Sequence, residues 1–155
     1  MADFVFNISK GRVAELANRV EVNDPSTSVL WIIPVDVAAV SDATIKDFAT
    51  LSAVLAGGVT ERTTGGWNRK TLTDTDITGF AVSNASDWMD VDITVDPIWT
   101  AVTTNTVTDL IICYEALGAG TTANMIPLTQ HDFAITPDGS DVTAVIAAAG
   151  FFRAT

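Results

Sequence analysis

The sequence is short of the side chains on which most active-site chemistry depends. Among 155 residues there is one cysteine, Cys113, and one histidine, His131. A single thiol cannot close an internal disulfide. In the apolar run LIICYE, Cys113 reads as a small buried hydrophobe. Bases are scarce too, with eight Lys and Arg against 19 Asp and Glu, for a net charge of −11. The deficit is uneven. Residues 1–70 carry eight acids and seven bases, a net of −1, whereas residues 71–155 carry eleven acids and Arg153 alone, a net of −10. So acidic a half repels phosphate backbones and argues against nucleic-acid binding. It also favours solubility at high local copy number. The near-neutral first half is the better docking surface. No run approaches the ~20 apolar residues that cross a membrane. The start, MADFVFNISKGR, lacks the basic and apolar regions of a secretory signal, so the chain is expected to be made in the cytoplasm.

What is present suffices for a core, because 48% of the residues are hydrophobic. Residues 1–9 read as an extended arm with Phe4 and Phe6 on one face, followed by a single domain over 10–155. Val13, Leu16, Ala17 and Val20 form one helical stripe, which places a helix over 10–21 with Ser9 as its N-cap. Asn23, Asp24 and Pro25 stop it. SVLWIIPV (28–35) is apolar on both faces and reads as a buried strand, with Pro34 at an edge or bulge. DATIKDFATLSAVLAGG predicts a second helix, capped by Asp42 and closed by Gly57 and Gly58, with Ile45, Phe48, Leu51, Ser52 and Leu55 along its face.

From Val59 onward the pattern turns to strands. WNRKTLT is one candidate. WMDVDITVDP is the cleanest alternation, with Met89, Val91, Ile93 and Val95 inward and Asp90, Asp92, Thr94 and Asp96 outward. VTDLIICYE is a more buried strand, and GAGTTAN is a flexible loop. TPDGSD (136–141) has the residues of a hairpin turn between two strands. Together these predict an α+β fold, two N-terminal helices packed on a mostly antiparallel β-sheet.

Candidate chemistry is sparse. His131 beside Asp132 motivates a hydrolase reading, yet no G-x-S-x-G presents a nucleophile, and Cys113 is far away in sequence. One His and one Cys fall short of a zinc site. Asp74, Asp76, Asp90, Asp92 and Asp96 could meet calcium, but TDTDITGF lacks the glycine and glutamate of an EF-hand loop. GGVTERTTGGWNRK is not a P-loop, because no GK[ST] opens a helix. The expectation is therefore no enzyme, no metal and no cofactor.

The segments FVFNISKGRVAELANRVEVNDPSTSVL, DATIKDFATL, RKTLTDTDI and IPLTQHDFAITPDGSDVTAVIAAAGFFRA resemble a family of small virion structural proteins of tailed bacteriophages. The resemblance spans most of the chain and carries no active-site signature. It implies a capsid decoration, or cement, protein on the outer surface of the virion. The major capsid protein and further copies of the chain, as a homotrimer, would be its partners. A tail-tube, neck or head–tail connector subunit is the alternative within the virion. For a cement protein, apolar anchors and strand addition would supply the binding energy. The residues expected to make that contact are Phe4, Val5 and Phe6 in the arm, Trp67, Arg69 and Lys70 in the loop, and Phe151, Phe152 and Arg153 near the C-terminus.

Overall fold

The computed structural model describes residues 2–37, 39–83, 85 and 88–154, with backbone alone over 78–83. Its centre is a six-stranded antiparallel sheet. The strands are β1 (Phe4–Val5), β2 (Val29–Asp36), β3 (Thr60–Glu61), β4 (Lys70–Leu72), β8 (Val107–Glu115) and β9 (Ile126–Ile135), in the order β1-β9-β8-β2-β3, with β4 also on β2. A second sheet has the order β11-β6-β5, from β5 (Ile77–Ser83), β6 (Trp88–Ile93) and β11 (Phe152–Ala154). A short pair joins β7 (Ile98–Trp99) to β10 (Val142–Thr143).

β2 and β8 are apolar on both faces because both faces are covered. Leu30 and Ile32 of β2, with Leu110, Ile112 and Tyr114 of β8, face one core that includes Val91, Ile93, Trp67 and Trp99. Ile33 and Val35, with Ile111 and Cys113, face a second core that includes Phe6, Ile45, Leu51, Val54 and Met125. Each fully buried aliphatic side chain contributes about 1.5–3 kcal/mol. Pro34 fits because β4 pairs with Leu30, Trp31 and Ile32, and β3 with Val35 and Asp36. The missing N–H falls in the gap between them, on the side where the Pro34 carbonyl accepts from the Arg62 N–H.

The expected architecture of two N-terminal helices on a sheet is overturned. The protein is mostly β, 34% strand against 17% helix. Among the described residues its α-helices are three and short, α1 (Val13–Glu21), α2 (Asp42–Ile45) and α3 (Leu51–Ala56), and only α1 reaches seven residues. The second expected helix breaks where tertiary partners replace the i−4 ladder. Thr50 is extended, at φ −139 and ψ 155, and its side chain accepts from the Ala53 N–H, capping a new helix. The Leu51 and Ser52 N–H groups then donate to the carbonyls of Met125 and Thr122. α1 does bury Val13, Leu16, Ala17 and Val20. Ser9 does not cap it, because its hydroxyl donates instead to the Pro127 carbonyl, 2.6 Å away in the interior.

Two further expectations change. The expected arm is docked on the sheet, since Phe4 and Val5 pair with Gln130 and Thr129 of β9, and Phe6 is fully buried. TPDGSD turns the chain but closes no hairpin. Gly139 has φ 93, and the Asp138 carboxylate accepts from the Ser140 N–H at 2.9 Å. The chain then leaves β9, because the Val102 carbonyl accepts from the Gly139 N–H and the Val102 N–H donates to Ser140. That exchange directs β10 onto β7.

Candidate functional site

A cleft of about 310 Å³ lies against β9, bounded by Asp3, His131, Asp132, Phe133 and the segment 144–151. Its floor is apolar, from Ile32, Leu110 and Ile112. The strand register explains the composition. His131 stands opposite Leu110, so its ring emerges on the face of the sheet that carries the larger core.

His131 is held from two sides. Its Nδ1 lies 3.4 Å from the Asp3 carboxylate and its Nε2 lies 2.9 Å from the Thr129 hydroxyl. Asp3 also accepts from the Asp132 N–H at 2.8 Å. Burial pushes the imidazole below its ordinary value, although Asp3 pulls the other way. A neutral ring with Nδ1–H toward Asp3 accepts at Nε2 from Thr129.

This chain of hydroxyl, imidazole and carboxylate resembles a nucleophile relay on paper, but its placement is wrong for one. Thr129 is 2% exposed, sits within β9 and does not line the cleft. A nucleophile must meet the substrate, with oxyanion donors beside it. Cys113 lies in the other core, and burial raises its thiol far above the range in which it would ionise. His131, Asp132 and Asp3 therefore tie the first strand to the sheet, and Cys113 does not join them. Among the described residues, no three His, Cys, Asp or Glu side chains gather where a metal could sit.

The nine residues expected to touch a partner are widely dispersed. Phe6, Trp67 and Phe151 are buried within the fold. Phe4 and Val5 are half-buried, packed on opposite cores. The Trp67 indole donates to the Asn105 carbonyl at 2.8 Å and tilts against Trp99, with centroids 5.3 Å apart. Arg69 makes a two-point pair with Glu61, at 2.6 and 2.8 Å, and donates to the Gly120 carbonyl. Lys70 lies 5.6 Å above the Trp99 ring. Phe152 is half-buried in β11. Arg153 forks onto Asp90 at 2.6 and 2.9 Å and stacks over Trp88. Asp90, expected to face water, is 3% exposed beneath that pair. Among the nine, only Arg153 presents an exposed surface.

Exposed apolar side chains occur elsewhere. Val95, Ile98 and Val145 are 55%, 49% and 77% exposed. The antiparallel pairing sets Ile98 opposite Thr143, and the Ile146 N–H donates to the Asp96 carboxylate at 2.8 Å. Val95 and Ile98 line a groove beside β4, along with Lys70, Leu72, Asp76 and Asp96. Val145 lines the cleft against β9 rather than the groove of the other two. Alternation along WMDVDITV pointed Val95 inward, but the strand ends at Ile93. Two adjacent apolar residues flanking Asp96-Pro97 were the available signal in the sequence.

No family model matches the chain, and neither the curated proteins nor the solved structures contain a significant match.

Proposed function

We propose that this protein is a non-enzymatic structural component of a tailed-phage virion, a decoration protein seated on the outer surface of the assembled capsid. The observation that carries the reading is the set of exposed apolar side chains Val95, Ile98 and Val145. It lies in the acidic half of the chain, whereas the residues with chemical potential are occupied in holding strands together. A protein that acts by contact needs this division. Apolar anchors release water when they dock, and acidic surroundings favour a partner surface that is basic around apolar pockets.

In this role the partner is the major capsid protein. Binding only the assembled shell stabilises that state by mass action. Copies of the chain would meet as a homotrimer at a symmetry axis. The contact surface moves from the nine residues first expected to Val95, Ile98 and Val145, with Lys70, which lines the groove beside Val95 and Ile98, as the residue in common.

Co-sedimentation with purified expanded heads tests this. Saturable binding of many copies per head, abolished by Ile98→Asp combined with Val145→Asp at unchanged melting temperature, supports the reading. No binding to heads, or copies in rings along a tail, rejects it. Undiminished binding by the double variant rejects the surface.

A further inference from the structure

Asp109 of β8 and Gln130 of β9 are both buried, at 1% and 0% exposure, on the sheet face that carries Ile111. The Gln130 amide donates to Asp109 Oδ1 at 3.0 Å. The two remaining oxygens of this pair, Asp109 Oδ2 and Gln130 Oε1, are buried without a hydrogen-bond partner. A buried acceptor left without a donor has given up its water and received nothing in return. Two acceptors left over on one bonded pair is the pattern produced when a proton is missing from between them.

We infer that Asp109 carries a proton in the folded protein, and that Asp109 and Gln130 form a two-bond acid–amide ring that clamps β8 to β9. A proton from solvent on Oδ2 makes it a donor to Oε1, and both orphans are satisfied at once. On deprotonation the proton returns to water, and Oε1 is left facing a carboxylate oxygen. The surroundings favour the acid. Burial is the largest influence raising its affinity for the proton, and the negative Asp132, opposite it in the β9 register, adds to it. The Thr108 hydroxyl and the Gln130 amide oppose it. On β2 the register partner is the uncharged Val35, and the adjacent Asp36 is already paired with Arg62. On β1, Phe4 pairs with Gln130, and Asp3 is bonded to His131 and to the Asp132 N–H.

The clamp is therefore sensitive to pH. A carboxyl whose folded affinity for protons is raised stabilises the fold fully below the ordinary aspartate value of about 3.9, and that contribution is lost as pH rises through its folded value. Because Gln130 pairs with Phe4, the loss falls on the seam that holds the first strand.

The test is a carbon-13 NMR titration of the Asp109 carboxyl in the intact parent chain, assigned through its own backbone, with urea midpoints measured at each pH. The expected result is a titration midpoint clearly above 3.9, with stability declining through it. Asp109→Asn, which can form an amide–amide ring, should flatten that decline and be at least as stable as the parent above the midpoint. A carboxyl that titrates at or below the ordinary value overturns the inference. So does an Asp109→Asn protein with the parent's pH slope and lower stability throughout.

Discussion

The two ends of β8 bury a carboxylate in opposite ways. Glu115, at one end, is fully buried and receives three donors, the Trp31 indole at 2.9 Å and the Gly120 and Thr121 N–H groups at 2.8 and 3.1 Å. Asp109, near the other end, receives the Gln130 amide and keeps an oxygen unpartnered. A buried charge is tolerable when donors converge on it, and otherwise the neutral form is favoured. Glu115 therefore organises a loop through the donors that converge on it. GAGTTAN looked flexible from its composition, yet its backbone is held by Glu115 from one side and by Arg69 on the Gly120 carbonyl from the other. Asp109 serves as a polar rivet whose strength depends on its proton.

The contrast can be broken by removing charge at Glu115. Glu115→Gln keeps the shape but turns an amide N–H toward groups that are themselves donors. The expected loss is about 3 kcal/mol, read as a lower urea midpoint at unchanged m-value. An unchanged midpoint would mean that the three donors do not need an anion. A smaller loss is expected for Trp31→Phe, which removes one donor from the buried anion and leaves the backbone pair. About 2 kcal/mol is reasonable for a bond to a charged group. Hydrogen exchange at Gly120 and Thr121 should stay slow in this variant and speed up in Glu115→Gln.

The smallest effect concerns His131, and it sharpens the comparison through its sign. Burial lowers the imidazole's affinity for protons, so the unfolded chain binds more of them just below the ordinary value of about 6.5. Stability from this site is full above that value and declines as pH falls toward the folded one. His131→Asn should flatten this acid-side decline. The Asp109 contribution runs the other way, growing as pH falls. A stability profile of the parent should therefore show two opposed slopes, each removed by its own variant.

Several elements were legible in the sequence because local pattern and tertiary need agreed. VTDLIICYE is β8 to the residue, and the Val13, Leu16, Ala17 and Val20 stripe is the buried face of α1. SVLWIIPV, apolar on both faces, is β2 with a core on each side. Misreadings arose where a distant backbone supplied a competing partner. The second helix broke at Thr50 because the carbonyls of Met125 and Thr122 satisfied the next helix's first N–H groups. TPDGSD turned without closing a hairpin because Val102 took its backbone bonds. Phe6, Trp67 and Phe151 looked like anchors because aromatic side chains suit interfaces and cores alike, and only packing separates the two.

At the candidate sites the division is similar. One histidine, one cysteine and no motif argued against catalysis from the start, and the strand register then set Cys113 and His131 facing opposite cores. The exposure of Val95 stayed hidden because periodicity carried it past the end of its strand.

By itself, the sequence determined which segments are extended, which helical face is apolar, and that charge concentrates in the second half. These follow from side-chain period and composition, which are local. Only the tertiary structure decided which strands pair, which aromatic side chains are interior, and on which of two buried carboxyls three donors converge. Those outcomes depend on donors and acceptors brought together from distant parts of the chain, and no local pattern encodes them.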